Sequence, residues 1–310
     1  MRTLLFTHDD CLNHVTPEGH AEQVARMHAV RDALAPLDGL IRQEAPDVAD
    51  EAILRVHPQS HLDAITGAAP ASGIVQLDPD TFMSPGSLSA ARRAAGAMVA
   101  AVDQVLTDQA DRAFIAMRPP GHHAEKTTPM GFCLFGTVAI GAAHALAAHG
   151  LDRVAIVDFD VHHGNGTQDL IWDEERVLFI SSHQMPLYPG TGAANETGAH
   201  GNVMNLPLPT GSDGAHMRRV YERDVLPALD AFAPQLILIS AGFDAHARDP
   251  LAQLNWDESD YVWVTEALCA LADKHCAGRV VSTLEGGYDL DALWASTAAH
   301  VKSLMGTTDD

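Results

Sequence analysis

Basic residues are scarce in this sequence of 310 residues. Lys and Arg number 19 against 41 Asp and Glu, which gives a formal net charge of −22 at pH 7. A surface with this charge repels the phosphate backbone of DNA and RNA, which argues against direct recognition of nucleic acid. The same charge could attract lysine-rich protein tails or polyamines, although an acidic surface is also a common means of keeping a protein in solution.

Cysteine and long apolar runs are also few. The four cysteines, Cys11, Cys133, Cys269 and Cys276, form no C-x-x-C pair and do not resemble the disulfide framework of a small secreted domain. The first residues include only a three-residue apolar run, too short for a signal peptide, and no apolar stretch is long enough to span a membrane. We therefore expect a cytoplasmic protein with reduced thiols and no membrane partner.

Apolar runs typical of strands alternate along the chain with segments of helical periodicity, a pattern that indicates a parallel sheet. The predicted strands are Thr3–Thr7, Arg112–Ala116, Arg153–Phe159, Val177–Ser181, Leu236–Ser240 and Arg279–Thr283. The predicted helices are Ala21–Leu34, Ser87–Leu106, Leu134–Ala148, Asp213–Phe232, Glu258–His275 and Leu290–Met305. We expect one α/β domain over residues 1–310, with a central, mostly parallel sheet, helices on both faces and the active site at the carboxyl ends of the strands.

Two segments that contain Gly and Pro are longer than ordinary connections. They run from Gly67 to Ser87 and from Tyr188 to Gly214, whereas connections in compact domains have a median of about 4–6 residues. Loops at the carboxyl ends of parallel strands build the ligand crevice of an α/β fold. We therefore interpret both segments as functional loops.

Acidic and imidazole side chains follow two of the predicted strands. Asp158, Asp160 and His162 alternate along the end of one strand and so share one face, and Asp244 follows another strand. A single Asp after a strand is more often a helix cap. Zinc, however, binds Asp oxygens and His nitrogens, and a catalytic site needs about three protein ligands and an open position. The pattern predicts a metal site formed by Asp160, His162 and Asp244.

Three further side chains that could take part in catalysis follow predicted strands. His122 and His123 come after a turn restricted by Pro119 and Pro120, and Tyr288 follows two glycines. Imidazole titrates near neutral pH, so the tandem pair is typical of a general base and its partner acting on a zinc-bound water, whose pKa falls to about 7. The Tyr288 hydroxyl is suited to hydrogen-bonding a developing oxyanion.

Four blocks in this order resemble the histone deacetylase family, most closely its class II members and their bacterial relatives. They are Arg118–His123 (RPPGHH), Asp158–Gln168 (DFDVHHGNGTQ), Ser240–His246 (SAGFDAH) and Glu285–Tyr288 (EGGY). Leu12–Arg26 also resembles the amino-terminal segment of the family, although Ala21 and Gln23 replace its Pro and Arg. The resemblance covers nearly the whole chain and implies an arginase/deacetylase-like fold with about eight strands.

The resemblance implies a catalytic role for each matched residue. Asp160, His162 and Asp244 would bind one zinc ion, His123 would be the general base and later the acid, and Tyr288 would polarise the substrate carbonyl. A water activated at the zinc would then attack the acyl carbon, and the leaving amine would take a proton.

The two histidines are expected to have different partners. The resemblance implies that Asp158 holds His122 as an electrostatic partner and that Asn165 orients His123, where many class I members have an Asp. An amide orients an imidazole ring but stabilises its charged form less than a carboxylate does.

The family resemblance also extends to substrate and ion contacts. It implies that Gly131 and Phe132 form one wall of an acyl tunnel, that Tyr188 forms the other, and that Asp80 lies on the rim and grips the substrate backbone. A structural potassium ion would be bound by the carbonyls of Asp158, Asp160 and His162 and by the hydroxyl of Ser181.

Several alternatives stay open. A binuclear manganese hydrolase of the arginase type is disfavoured because the first motif is Asp158-x-Asp160-x-His162 and because His246 stands where a further Asp is needed. A non-catalytic acyl-lysine binder is disfavoured because no predicted ligand or oxyanion donor is missing. Within the enzymes, a deacylase of acyl-lysine in proteins competes with an amidohydrolase of acetylated polyamines, since rim loops decide specificity. The sequence does not decide whether the chain forms a homo-oligomer.

Overall fold

The computed structural model describes residues 1–307, so the last three residues of the predicted 1–310 domain lie outside the described residues. Its strands are β1 Thr3–Thr7, β2 Leu40–Glu44, β3 Val75–Asp78, β4 Thr81–Met83, β5 Arg112–Ile115, β6 Val154–Asp158, β7 Val177–Gln184, β8 Val203–Leu208, β9 Leu236–Ala241 and β10 Val280–Leu284. Eight of them form one sheet in the order β2-β1-β5-β10-β9-β6-β7-β8, and β3 pairs with β4 in a separate hairpin. Every pair in the large sheet is parallel, which confirms the predicted fold class.

Helices cover both faces of the sheet. They are α1 Val24–Leu34, α2 Asp50–Ile53, α3 Gln59–Ala68, α4 Ser87–Leu106, α5 Thr137–His149, α6 Asn165–Ile171, α7 Gly214–Val220, α8 Leu226–Phe232, α9 Glu258–His275 and α10 Leu290–Met305. Helix α4 packs against α5, whereas α10 packs against both α1 and α9. Every residue of the central strands β5, β10, β9 and β6 is buried, as expected for strands covered on both sides.

Three long helices begin and end where the sequence predicts. These are α4, α9 and α10, and the last two begin at side-chain caps: Asp257 accepts from the backbone of Ser259, and Asp289 from that of Ala292. The predicted helix Asp213–Phe232 is instead divided into α7, a π turn at Tyr221–Val225 and α8. Pro227 explains the division, because proline lacks the N–H that an uninterrupted helix needs at that position.

The two segments interpreted as loops contain strands. Gly67–Ser87 includes the β3–β4 hairpin, and Tyr188–Gly214 includes β8, which is an edge strand of the large sheet. These three strands, and β2 at the opposite edge of the large sheet, were not predicted from the sequence. Among residues 1–307, no helix is long and apolar enough to cross a lipid bilayer.

Candidate active site

The four motifs meet at one edge of the sheet. Strands β5, β10, β9 and β6 are neighbours and run in the same direction, so their carboxyl ends lie side by side. The segments that follow these ends carry the histidine pair, Tyr288, Asp244 and the Asp158–His162 motif, respectively. The fold thus brings together side chains that are more than a hundred residues apart in the chain.

Asp160, His162 and Asp244 form a buried triad. His162 Nδ1 lies 3.1 Å from Asp160 Oδ1 and 3.1 Å from Asp244 Oδ2. The backbone fixes both carboxylates: Gly286 N–H donates to Asp160 Oδ2 at 2.8 Å, and Val161 N–H donates to Asp244 Oδ1 at 2.9 Å. The ligand atoms of the three side chains lie within 4.8 Å of one another, so they can hold one metal ion.

The donor set fits zinc. Bonds of about 2.0–2.1 Å in a tetrahedral site put neighbouring ligand atoms about 3.3 Å apart, close to the two 3.1 Å separations from His162 Nδ1. Burial alone would lower the pKa of His162, but hydrogen bonds to the two carboxylates outweigh burial and raise the pKa to about 10. The triad therefore favours positive charge. Gly286 is required here, because a Cβ at this position would lie 2.1 Å from Asp244 Oδ2.

His122 is paired with a carboxylate. Its Nδ1 lies 3.0 Å from Asp158 Oδ2, and both side chains are buried. Burial alone would lower the pKa of His122, but the charges of Asp160 and Asp158 outweigh this effect and hold the pKa well above its ordinary value. We therefore expect His122 to carry a positive charge at neutral pH.

His123 is paired with an amide instead. Asn165 Nδ2 donates to Glu125 Oε1 at 2.7 Å, so Asn165 Oδ1 is the atom that faces His123 Nδ1, also at 2.7 Å. His123 Nδ1 must therefore carry the proton, which leaves a lone pair on Nε2. Burial, followed by the neighbouring rings of His122 and His162, holds the pKa of His123 well below its ordinary value. The pKa values of the two adjacent histidines are thus shifted in opposite directions.

A cavity of about 250 Å³ opens beside these groups. Its lining comprises Asp80, His123, Gly131, Phe132, His162, Leu187, Tyr188, Leu251 and Tyr288. All four residues predicted to bind substrate, and three of those predicted to perform the chemistry, therefore line one cavity. Leu187 and Leu251 complete its wall and were not predicted.

The wall at Phe132 is fixed by unusual backbone geometry. Phe132 has a positive φ of 70°, which a bulky side chain rarely adopts, and its N–H donates to Thr81 Oγ1 on β4 at 3.0 Å. The preceding Gly131 also has a positive φ, and a Cβ there would lie 2.3 Å from the His123 ring. On the opposite wall, the rings of Tyr188 and His123 make an edge contact at 5.2 Å. The histidine is thus enclosed by both walls.

The residues predicted to bind potassium are two members of the triad, Asp160 and His162, together with Asp158 and Ser181. Asp158 on β6 lies opposite Ser181 on β7 in the parallel ladder, and both are fully buried. The Ser181 hydroxyl is hydrogen-bonded to His183 Nδ1 at 2.9 Å. The potassium site itself stays a prediction.

Two residues that orient the site, Glu285 and Arg26, were not predicted from the sequence to have this role. Glu285 accepts hydrogen bonds from the backbone N–H groups of Gly121 and His122, at 2.7 and 3.1 Å, and burial raises its pKa to about 7. Arg26 donates to the carbonyls of Glu285 and Gly287, and its guanidinium lies 4.9 Å from the centre of the Tyr288 ring. Both residues lie within matched blocks, but the blocks alone do not reveal these contacts.

Comparisons with known proteins agree with this geometry. The model of the histone deacetylase domain matches residues 20–304. The histone deacetylase-like amidohydrolase of Pseudomonas aeruginosa is 41% identical over 87% of this chain and 73% of its own. The chloroplastic histone deacetylase 14 of Arabidopsis thaliana is 37% identical over 98% of this chain and 77% of its own. The crystal structure of the HDA15 HD domain superposes with a TM-score of 0.92 at 34% identity, covering 100% of this chain and 90% of that one. The chain therefore belongs to the histone deacetylase family.

Proposed function

We propose that this protein is a zinc-dependent amidohydrolase that removes an acyl group from an amine, with acetylated lysine in a protein or peptide as the preferred substrate class. One observation carries the proposal: His162 of the candidate metal triad, His123 and Tyr288 line a single cavity. The names of the relatives, which include an amidohydrolase and deacetylases, support the same reaction class.

Asp160, His162 and Asp244 would hold the zinc ion, and this ion when bound would supply a Lewis acid for the acyl carbonyl and for the attacking water. His123 Nε2 accepts the proton from the attacking water, because Asn165 holds the Nδ1 proton and the depressed pKa keeps the ring neutral. His123 then donates that proton to the leaving amine. The charged His122 beside it disfavours a lasting second positive charge and so promotes this return.

Tyr288 acts as the oxyanion donor. Burial raises the pKa of Tyr288 well above its ordinary value, and the nearby Asp244 and Asp160 act in the same direction against the opposing charge of Arg26. The hydroxyl therefore stays protonated and can donate to the oxygen on which negative charge develops.

The cavity lining favours an acyl-lysine over an acylated polyamine. Phe132, Tyr188, Leu187 and Leu251 give it an apolar wall that suits the alkyl stem of lysine. Asp80 is the one carboxylate side chain in the cavity lining. Its burial, together with the nearby Asp78, raises its pKa. A polyamine would bring further ammonium groups that need anionic partners. A single carboxylate whose pKa is raised, and whose negative charge is therefore less favourable, is a poor partner for several ammonium groups. The overall charge of −22 is the observation that favours the polyamine alternative.

Two further features belong to the proposal. A structural potassium ion would be held by the carbonyls of Asp158, Asp160 and His162 and by the Ser181 hydroxyl, consistent with their shared burial. The predicted cytoplasmic location stays a prediction, and the relatives include chloroplastic proteins.

The test compares two substrates on purified, metal-analysed protein. An acetyl-lysine peptide and an acetylated polyamine are assayed side by side, with and without a chelator. We expect hydrolysis of the peptide with the higher kcat/KM and loss of both activities in the chelator. Preferred hydrolysis of the polyamine would reverse the substrate assignment. Zinc-loaded protein that binds the peptide but turns over neither substrate would support a non-catalytic binder instead.

A further inference from the structure

A second cluster of potential metal ligands lies on the helix pair α4–α5, where α5 ends shortly before the amino end of β6 and so away from the carboxyl ends of the strands that carry the catalytic motifs. It consists of Asp103 on α4 and of His144 and His149 on α5. Of the described residues, only this cluster and the catalytic triad bring three His, Cys, Asp or Glu ligand atoms within 4.8 Å of one another. The proposed mechanism uses none of its three residues.

The ligand atoms of the cluster converge on one point. His144 Nε2 and His149 Nε2 each lie 2.6 Å from the same oxygen, Asp103 Oδ1. The two rings are 5.6 Å apart and nearly perpendicular, with an interplanar angle of 74°. Both imidazoles therefore aim Nε2 at one carboxylate oxygen from different directions, and an ion bound among the three side chains would require each 2.6 Å separation to lengthen to about 3.3 Å, the spacing of neighbouring ligand atoms in a tetrahedral zinc site.

Burial separates the cluster from an ordinary surface ion pair. The side chain of His144 is 10% exposed and that of His149 is 19% exposed, whereas Asp103 is 47% exposed. The two imidazoles are thus held by helix packing, and the carboxylate side of the cluster is open to solvent. This arrangement leaves room for water molecules to complete a coordination shell and gives an ion a path to the ligands.

Arg55 opposes metal binding at this cluster. Its Nη1 donates to His144 Nδ1 at 3.0 Å, so His144 Nδ1 accepts and Nε2 keeps its proton. A metal ligand needs the reverse arrangement, in which Nε2 offers its lone pair and Nδ1 carries the proton toward an acceptor. Arg55 is exposed, so its side chain can turn away when Nδ1 takes up the proton.

We propose that Asp103, His144 and His149 form a second metal site, specific for a divalent transition metal of the zinc class and independent of the proposed catalytic site. The ion would bind His144 Nε2, His149 Nε2 and a carboxylate oxygen of Asp103, with water in the remaining positions. The ion would replace the proton that each Nε2 donates to Asp103, and the displaced protons would move to Nδ1 or to solvent. It would also link the last turn of α5 to α4.

The experiment measures bound zinc in the folded enzyme. Wild-type protein, His149→Gln and His28→Gln are dialysed against a series of chelator-buffered Zn²⁺ concentrations, and bound zinc is counted by elemental analysis. His28 is an exposed histidine on α1 and serves as the matched control. We expect two zinc ions per chain for wild type and His28→Gln but one for His149→Gln, with the same rate of hydrolysis in all three.

A second variant tests the cluster without removing a ligand. Arg55→Gln removes the opposing donor and charge, and we expect it to tighten the second site by roughly tenfold, a typical size for a change next to a metal ligand. Arg219→Gln, at an exposed position on α7, makes the same change of charge and should leave the affinity unaltered. One zinc per chain in wild type and Arg55→Gln alike, or equal zinc loss in His149→Gln and His28→Gln, would overturn the proposal.

Discussion

Asp249 Oδ2 accepts a hydrogen bond from the backbone N–H of Tyr288 at 2.7 Å. The other oxygen of Asp249 accepts from the N–H of Leu251 at 2.9 Å. One side chain therefore connects the segment after β9 with the segment after β10 and holds two residues of the cavity lining. Asp249 belongs neither to the cavity lining nor to the triad, so we interpret it as a positioning residue for Tyr288.

Replacing Asp249 should misplace the tyrosine. In Asp249→Ala the Tyr288 backbone loses its acceptor, and we expect kcat to fall by about ten- to a hundredfold, since small displacements of catalytic groups have effects of this size. Asp249→Asn keeps one oxygen acceptor and should recover most of that loss. Steady-state kinetics would show the change in kcat rather than in KM. Equal, near-wild-type kcat values for both variants would contradict the positioning role.

The hydroxyl of Tyr288 is expected to contribute to the rate and not to metal binding. Tyr288→Phe removes one oxyanion donor, so kcat should fall by about 10²–10³-fold while the zinc content stays unchanged. Tyr188→Phe is the matched control, because Tyr188 contributes its ring to the opposite wall. A Tyr288→Phe enzyme with wild-type kcat would rule out the proposed donor.

The amide partner of His123 should set the acid limb of the pH profile. His123 accepts a proton only when it is neutral. Its depressed pKa keeps it neutral until the pH falls well below the ordinary pKa of a histidine. In Asn165→Asp, a carboxylate 2.7 Å from Nδ1 would stabilise the charged ring and raise this pKa by about one unit or more.

Activity of Asn165→Asp should therefore be lost at a higher pH than that of wild type as the solution is acidified. The measurement is kcat/KM against pH for wild type, Asn165→Asp and Asn255→Asp, a variant with the same change of charge at an exposed residue. Superimposable acid limbs for Asn165→Asp and Asn255→Asp would exclude this role of Asn165.

Local signals were enough to predict the centre of the fold but not its edges. β6 and β9 consist almost entirely of apolar residues, because both of their faces are buried, and the sequence predicted both. β2 contains Arg42, Gln43 and Glu44, and β8 contains Pro207. Polar side chains and proline are tolerated at a sheet edge but weaken any prediction of a strand from sequence.

The sequence predicted the candidate catalytic side chains better than the residues that position them. The triad was predictable because its ligands follow strands whose ends must meet at one edge of a parallel sheet. The contact of Arg26 on α1 with Gly287 and the contact of Asp249 with Tyr288 join segments that are distant in the chain, and no periodicity encodes them. The cluster of Asp103, His144 and His149 was missed for the same reason, because it depends on how two helices pack.

A buried histidine outside the cavity lining should make the fold sensitive to acid. His300 on α10 is fully buried, and its two ring nitrogens bond the hydroxyls of Thr265 and Ser282 at 2.7 and 2.8 Å. Burial lowers its pKa to about 3, whereas a histidine in an unfolded chain has a pKa of about 6.5. As the pH falls from about 6.5 to about 3, the unfolded chain binds a proton that the folded protein does not, so the free energy of unfolding decreases.

Between pH 7 and pH 5 this single group should reduce the free energy of unfolding by about 2 kcal/mol. The reduction arises over the roughly 1.5 pH units below the unfolded-state pKa of about 6.5, at about 1.36 kcal/mol for each pH unit. His300→Gln removes the titrating group, so its free energy of unfolding should fall by about 2 kcal/mol less over the same interval, even if the variant is less stable at both pH values. Denaturant unfolding at the two pH values gives this difference directly. His28→Gln, at an exposed position, should keep the wild-type dependence. A His300→Gln protein as acid-sensitive as wild type would show that the proton is taken up elsewhere.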